Sequence, residues 1–299
     1  MFRIINGCII YIDIWVASFW LKKEIDMENK NPSKSSFKVL FIGNSFSDDT
    51  IEYVCSIAKD IGMEDILVGN LYYGGCTIEE HLSFLNDPNP HYNFRLARSE
   101  KIIHTAEGDT PDTFIEEGVS YTDWDYIIFQ QGSRDSGTPY KYDNLPILID
   151  YVKKLVRNPD VIFGFNMTWA YASNSKNGGF NSYSCNQEIM YKGILESIKT
   201  KVLSNKDIKF VIPNGTAIQN ARTSFIGDNL TRDETDHLSF GLGRYIAGLT
   251  FIATLTRVDV DKIKFAPAGL SEKKILLAKE SAKNAINNPF EVTRSRYID

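Results

Sequence analysis

The stretch FKVLFIGNSFSDDTIEYVCSIAKDIGM, residues 37–63, decides how the chain is read. Its first seven residues form a short apolar, β-branched run ending in Gly43, the pattern of a strand buried on both faces. From Asp48 onward the apolar positions 51, 54, 57, 58 and 61 recur at helical spacing on one face, and Gly62 supplies a stop. Strand, tight turn and helix in that order open a doubly wound α/β domain.

The same grammar repeats downstream. DILVGNLYYGG (65–75), WDYIIFQQG (124–132), DVIFGFNMTWAY (160–171) and IKFVIPNGTAI (208–218) read as four more strands. NLPILIDYVKKLVR (144–157) and QEIMYKGILESIKTKVL (187–203) read as crossover helices, and GLGRYIAGLTFIATLTR (241–257) as a closing helix. These elements predict a three-layer α/β/α sandwich around a five-stranded parallel sheet. Residues 81–122, with NDPNPHYN and EGDTPDT, are expected to form a loop or short helices beside the site. Residues 172–186 are rich in Ser, Asn and Gly and are expected to be a flexible connection. After Arg257 a small strand or loop and then a helix over SEKKILLAKESAKNAINN are expected. The organisation is therefore a leader over 1–36, a domain over 37–257, and a C-terminal extension over 258–299 that packs on it.

Composition narrows the function classes. With 299 residues, 43% hydrophobic and 12% aromatic, the chain can bury a sizeable core. The formal charge of -5 comes from 38 acidic and 33 basic residues with no basic cluster, which argues against a nucleic-acid partner. Cysteines 8, 55, 76 and 185 are far apart and form no C-x-x-C pair, so isolated buried thiols are expected rather than a zinc site or disulfides. No metal or other cofactor is expected. The apolar run CIIYIDIWVASFWL (8–21) contains Asp13 and is too short to span a bilayer, so no membrane span is expected. Two readings of it stay open: a signal-like segment implying export to the periplasm, or a start at Met27 with a polar leader MENKNPSKSS, implying a cytoplasmic protein.

Open α/β sheets place their sites at the carboxyl ends of the strands. Ser45, in GNSFS, sits two residues past the first strand, where its own amide lies near a helix start and favours developing negative charge. Capping the helix is the alternative role for Ser45 or Ser47. The second strand ends in Tyr73-Gly74-Gly75, where the missing side chains let an amide approach a ligand. The third ends in Gln130-Gln131-Gly132-Ser133, which offers a side-chain amide as donor. Near the C-terminus His237 stands among Asp233, Glu234 and Asp236, directly before the closing helix. A neutral imidazole there can take the serine proton while a carboxylate on its other nitrogen fixes the tautomer. His81, His91 and His104 show no metal-ligand spacing and are expected to face solvent or pack loops.

The order of these pieces resembles the four blocks of the SGNH hydrolases, or GDSL-type esterases, over roughly residues 38 to 257, and the TRD segment before HLS resembles an uncharacterised bacterial branch of them. The resemblance implies a flavodoxin-like fold, Ser45 as nucleophile and His237 as base. It implies an oxyanion hole from the Ser45 amide, Gly75 and a residue of the Gln130 to Ser133 segment. The segment QQGSRDS is similar to the third block of carbohydrate acetylesterase relatives, which makes Gln131 the donor. The family's Asp-x-x-His becomes Glu234 three residues before His237, with Asp233 one further back; Asp233 is favoured and Glu234 is the alternative acid. The chain also carries Asn44 where the family has the Asp of GDSL.

The activity implied is removal of small O-acyl groups, acetyl above all, from a small-molecule or carbohydrate ester. Tyr72, Tyr73, Trp169 and Tyr171 near the strand ends are the candidate sugar platform, with core packing as their other role. A lipase-like esterase for longer acyl chains, and a carbohydrate-binding protein without turnover, are the alternatives.

Overall fold

The computed structural model describes residues 36–98, 101–104, 112–232 and 236–298. The leader, Cys8 and both candidate acids, Asp233 and Glu234, lie outside the described residues.

The run that opens the domain forms β1 (Ser36–Gly43), and its last five residues are all buried. It pairs in parallel with β2 (Asp65–Tyr72) on one side and β5 (Tyr126–Phe129) on the other. β6 (Ile162–Asn166) and β7 (Ile208–Ile212) continue the parallel set. The parallel strands therefore stand in the order β2-β1-β5-β6-β7, the flavodoxin-like order, with its switch point between β1 and β5. This is the α/β architecture the sequence predicts.

The insertion over 81–122 departs from expectation. It extends the sheet by β3 (Asn93–Arg98), antiparallel to β2, and β4 (Lys101–His104), antiparallel to β3. Among the described residues the sheet has seven strands, not five. The flanking turn residues mask the alternation that makes β3 a strand, with Phe94 and Leu96 buried and Arg95 between them half-buried.

The helix expected over 48–63 starts earlier and breaks. Asn44 caps it, its Oδ1 accepting from the Phe46 amide at 2.9 Å, so α1 runs Ser45–Ile51. After a turn at Glu52 and Tyr53, α2 runs Val54–Asp60. Further on stand α3 (Ile78–Ser83), α4 (Ile115–Ser120), α5 (Leu145–Leu155), α6 (Gln187–Ser197), α7 (Asn214–Arg222), α8 (Leu242–Thr256) and α9 (Glu272–Asn287). α8 is buried from Leu242 through Leu255, as an apolar helix lying inside a domain must be. It packs against α1, α2, α7 and α9, while α5 packs against α3 and α4.

The C-terminal segment closes over α7 and α8. α9 buries Leu277, Ala278, Ala282 and Ala285. Beyond it, the amides of Thr293 and Ser295 donate to Asn220 Oδ1 at 2.7 Å and Thr223 Oγ1 at 2.8 Å.

Candidate functional site

Ser45 is the first residue of α1 and half-buried. The residue before it does the positioning. Besides capping α1, Asn44 donates through Nδ2 to the Cys76 carbonyl at 3.1 Å, and its own carbonyl accepts from Asn70 Nδ2 at 3.1 Å. Gly43 has no side chain because a Cβ there would lie 2.2 Å from Ser47 Oγ.

The turn after β2 is fastened to the same place. The Tyr73 amide donates to the Gly43 carbonyl at 3.4 Å, and the Cys76 amide closes the turn onto the Tyr73 carbonyl at 3.2 Å. Gly75 takes φ +67 in this turn, a conformation costly for side-chain-bearing residues. The segment after β5 lies directly on it. A Cβ on Gly132 would stand 2.8 Å from the Gly75 carbonyl oxygen and 2.9 Å from that of Cys76, so only glycine fits. The first three expected blocks therefore meet at the carboxyl end of the sheet.

Gln131 and Gln130 are both buried and both committed. Gln131 Oε1 accepts from the amides of Ile78 and Gly132, each at 2.9 Å, and its Nε2 donates to the Lys141 carbonyl at 2.8 Å. Gln131 thus braces the loop after β5 against the start of α3. Gln130 Nε2 donates to Asn44 Oδ1 at 2.7 Å, while its Oε1 accepts from Asn166 Nδ2 at 3.0 Å. Asn166 Oδ1 in turn accepts from Asn214 Nδ2 at 2.9 Å. One amide from the end of each of β1, β5, β6 and β7 is linked in this buried ladder, which ties Asn44 to the rest of the sheet. Asn44, Gln130 and Asn166 are each bonded through both ends of the amide, and buried amides so satisfied rigidify what they join.

His237 comes to the same helix. Its Nδ1 lies 3.2 Å from Asp49 Oδ2, which also accepts from the Leu238 amide at 2.7 Å. Asp49 is fully buried, and its other oxygen pairs with Arg244 Nη2 at 2.5 Å. Arg244 also reaches Glu52 at 2.6 Å. Phe46 lies edge-on to the imidazole, with ring centroids 5.6 Å apart, and stacks on Trp169 at 4.3 Å. Ser45 and Asp49 are four residues apart on one helix, hence on the same face one turn from each other. Asp49, which holds the imidazole through Nδ1, therefore stands on the helix face that begins with Ser45. Asp49 was not among the acids the sequence singled out. The signal was the S-x-x-x-D spacing in SFSDD, legible once Asn44 is recognised as the helix cap.

The other candidates sort by burial. Trp169 and Tyr171 are fully buried, which removes them from an open sugar platform: Trp169 donates to the Asp236 carbonyl at 2.8 Å, and the Tyr171 hydroxyl lies 2.8 Å from Ser133 Oγ. Tyr72 carries the Arg95 guanidinium 3.4 Å above its ring. Tyr73 is half-buried and packs with Phe84 and His91 beside the Gly75 turn. His91 pairs with Asp87 at 3.1 Å. His81 is buried with Nδ1 2.9 Å from the Tyr92 hydroxyl, and burial pushes its pKa down to about 4. Cys55 and Cys76 are buried thiols as expected, whereas Cys185 is exposed. The 172–186 connection is tied down: Asp228 accepts from the Ser173 amide and hydroxyl, and the Tyr183 hydroxyl donates to the Arg134 carbonyl at 2.9 Å. Among the described residues no group of His, Cys, Asp and Glu could hold a metal ion, and no helix is long and apolar enough to cross a membrane.

A family model described as Domain of unknown function (DUF4886) matches residues 38–285. The crystal structure of a DUF4886 family protein from Bacteroides uniformis ATCC 8492 is 35% identical, covers 88% of this chain and 100% of that chain, and superposes with a TM-score of 0.80. A protein from Slackia heliotrinireducens described as a candidate SGNH hydrolase is 16% identical over 72% of this chain and 97% of that chain, with a TM-score of 0.49. No curated protein matches the chain.

Proposed function

Because the chain belongs to the DUF4886 family, whose description names no reaction, its chemistry must be argued from its own site, and from that geometry we propose a serine ester hydrolase with Ser45 as nucleophile and His237 as base. The observation that carries this is Asp49 holding His237 Nδ1 one helical turn from Ser45. A carboxylate on Nδ1 keeps the proton there and leaves Nε2 as the acceptor, the tautomer a general base needs.

The steps follow from that arrangement. Ser45 Oγ attacks the ester carbonyl as its proton passes to His237 Nε2, and the carbonyl π electrons move onto oxygen. The oxyanion lies at the amides of Ser45 and Gly75. Collapse expels the alcohol, which takes the proton from His237; water activated by the same imidazole then releases the acyl group and regenerates Ser45. Asp49 is the orienting acid in this scheme, the role the sequence offered to Asp233 or Glu234. Gln131 keeps the loop after β5 in place. The substrate class is a small O-acyl ester, acetyl above all, with the aromatic surface of Tyr73, Phe84 and His91 at the Gly75 turn favouring a carbohydrate alcohol.

A fluorophosphonate probe tests nucleophile and oxyanion hole together. The wild-type chain is expected to be labelled at Ser45 and to hydrolyse p-nitrophenyl acetate, and Ser45→Ala to do neither. Undiminished turnover by Ser45→Ala overturns the proposal.

A further inference from the structure

The third strand end supplies a charged group that the sequence did not single out. With Gln130 and Gln131 both committed to internal bonds, the side chain from this segment that reaches the Gly75 turn is Arg134. Its Nη1 donates to the Gly75 carbonyl at 3.4 Å, and a Cβ built on Gly75 would lie 3.7 Å from the same nitrogen. That turn is bonded to Gly43 and Asn44, the two residues preceding Ser45.

The guanidinium is aimed from several sides. Nη2 donates to Glu80 Oε1 at 2.7 Å, and Glu80 is itself fixed as the third residue of α3, where it forms a capping box with Thr77. The Tyr183 hydroxyl holds the Arg134 carbonyl, and Gly179 lies so close to the stem that a Cβ there would come within 2.6 Å of Arg134 Cβ. The bonds to Gly75 and Glu80 use two of the five N–H groups of an arginine. A half-exposed arginine held this firmly retains donors for a ligand at the glycine turn.

We infer that Arg134 is the side-chain donor of the oxyanion site, stabilising through its guanidinium the negative charge that develops on the substrate carbonyl oxygen beside Gly75. The inference rests on the serine-hydrolase reading. Charge stabilisation of this kind acts in the transition state and is worth about 10²-fold to 10³-fold in turnover when a donor is removed.

Steady-state kinetics with p-nitrophenyl acetate on Arg134→Gln and Arg134→Lys, together with fluorophosphonate labelling of the wild type, test it. The expected result for Arg134→Gln is kcat lower by about 10²-fold with KM within about threefold of wild type. Arg134→Lys, which keeps the charge without the fork, should recover at least about a tenfold part of that loss. The midpoint of thermal unfolding should move by only about 3 °C, because the ion pair lost is solvent-exposed. Labelling of wild-type Ser45 with kcat of Arg134→Gln within twofold of wild type would overturn the role of Arg134 and leave the hydrolase standing. So would a loss that falls on KM alone or that Arg134→Lys does not relieve. A wild type that takes no label removes both assignments.

Discussion

Asp49 Oδ2 lies 3.2 Å from His237 Nδ1 across 188 residues of chain, and the same carboxylate is paired with Arg244 behind it. The pair joins the helix that starts at Ser45 to the loop before α8. An acid in this position holds one imidazole tautomer and stabilises the imidazolium that forms when the serine proton is taken. Asp49→Asn keeps the shape but offers an amide where the carboxylate stood. Esterase kcat/KM should fall by about 10³-fold, and combining it with His237→Ala should cost little more than the worse single change, since residues acting as one unit are non-additive. Asp49 also balances the buried Arg244, so a loss of about 3 kcal/mol in stability should accompany the change. Assays at low temperature, with folding checked by circular dichroism, separate the two effects. Full activity in folded Asp49→Asn would return the acid role to the loop that precedes His237.

Gly132 sets the fit between the turn after β2 and the loop after β5. A methyl group there would press on two main-chain oxygens and on Thr77 Cγ2 at 2.6 Å, none of which is the loose end of a long side chain. Gly132→Ala should therefore cost about 1–3 kcal/mol. It should also lower kcat more than a comparable destabilisation elsewhere, because the two segments that bound the proposed oxyanion site are pushed apart. Gly178→Ala is the matched control: nothing lies within 4 Å of a Cβ there. Equal urea midpoints for the two variants would show that the contact is not restrictive.

Much of this was legible because α/β folds are written locally. Strand, turn and helix over 37–63 gave the position of Ser45, and repetition of the pattern gave the five parallel strands. The turn at Gly75 followed from a glycine pair at a strand end. Asp49 escaped because the apolar spacing places the helix start at Asp48, whereas the Asn44 cap moves it to Ser45 and only then puts Ser45 and Asp49 on one face. The acid-rich run around His237 drew attention to neighbours in sequence, while the partner found is a neighbour in space. Arg95 helped hide β3: a charged residue in a short alternating run reads as loop until Asp48 is seen to pair with it. The amide ladder needs strand register, which composition does not encode.

His81 gives a pH signature independent of the site. It is fully buried, and burial lowers its pKa to about 4, against about 6.5 in an unfolded chain. Between those values the unfolded state binds more protons than the native one, so stability rises with pH through that window. The contribution is complete above about pH 6.5 and is lost as pH falls toward 4. A shift of this size corresponds to about 3 kcal/mol. His81→Gln removes the titration and retains a hydrogen-bonding partner for the Tyr92 hydroxyl. Urea unfolding from pH 7.5 to 4 should show wild type losing stability relative to the variant by about that amount, while carboxylates common to both cancel in the difference. Parallel curves would mean that His81 takes up its proton without unfolding.

The buried ladder makes Gln130 the residue on which the placement of Ser45 most depends. Its amide bridges Asn44 Oδ1 and Asn166 Nδ2, at 2.7 and 3.0 Å, where water does not reach. Gln130→Ala takes one bond from each partner, leaving Asn44 Oδ1 with the Phe46 amide and Asn166 Nδ2 with Thr50 Oγ1, and it opens a void; each buried hydrogen bond lost costs about 0.5–1.5 kcal/mol. The total loss expected is about 2–4 kcal/mol, read from the urea midpoint at constant slope. Activity should fall as well, because Asn44 is at once the cap of α1, a donor to Cys76 and the residue next to Ser45, the proposed nucleophile. A second change at the same ladder, Asn166→Ala, should add less than its own single cost when combined with Gln130→Ala, since each removes the same bond. Strict additivity in that pair would show that the amides stabilise the sheet ends separately and that Asn44 does not depend on the chain of bonds behind it.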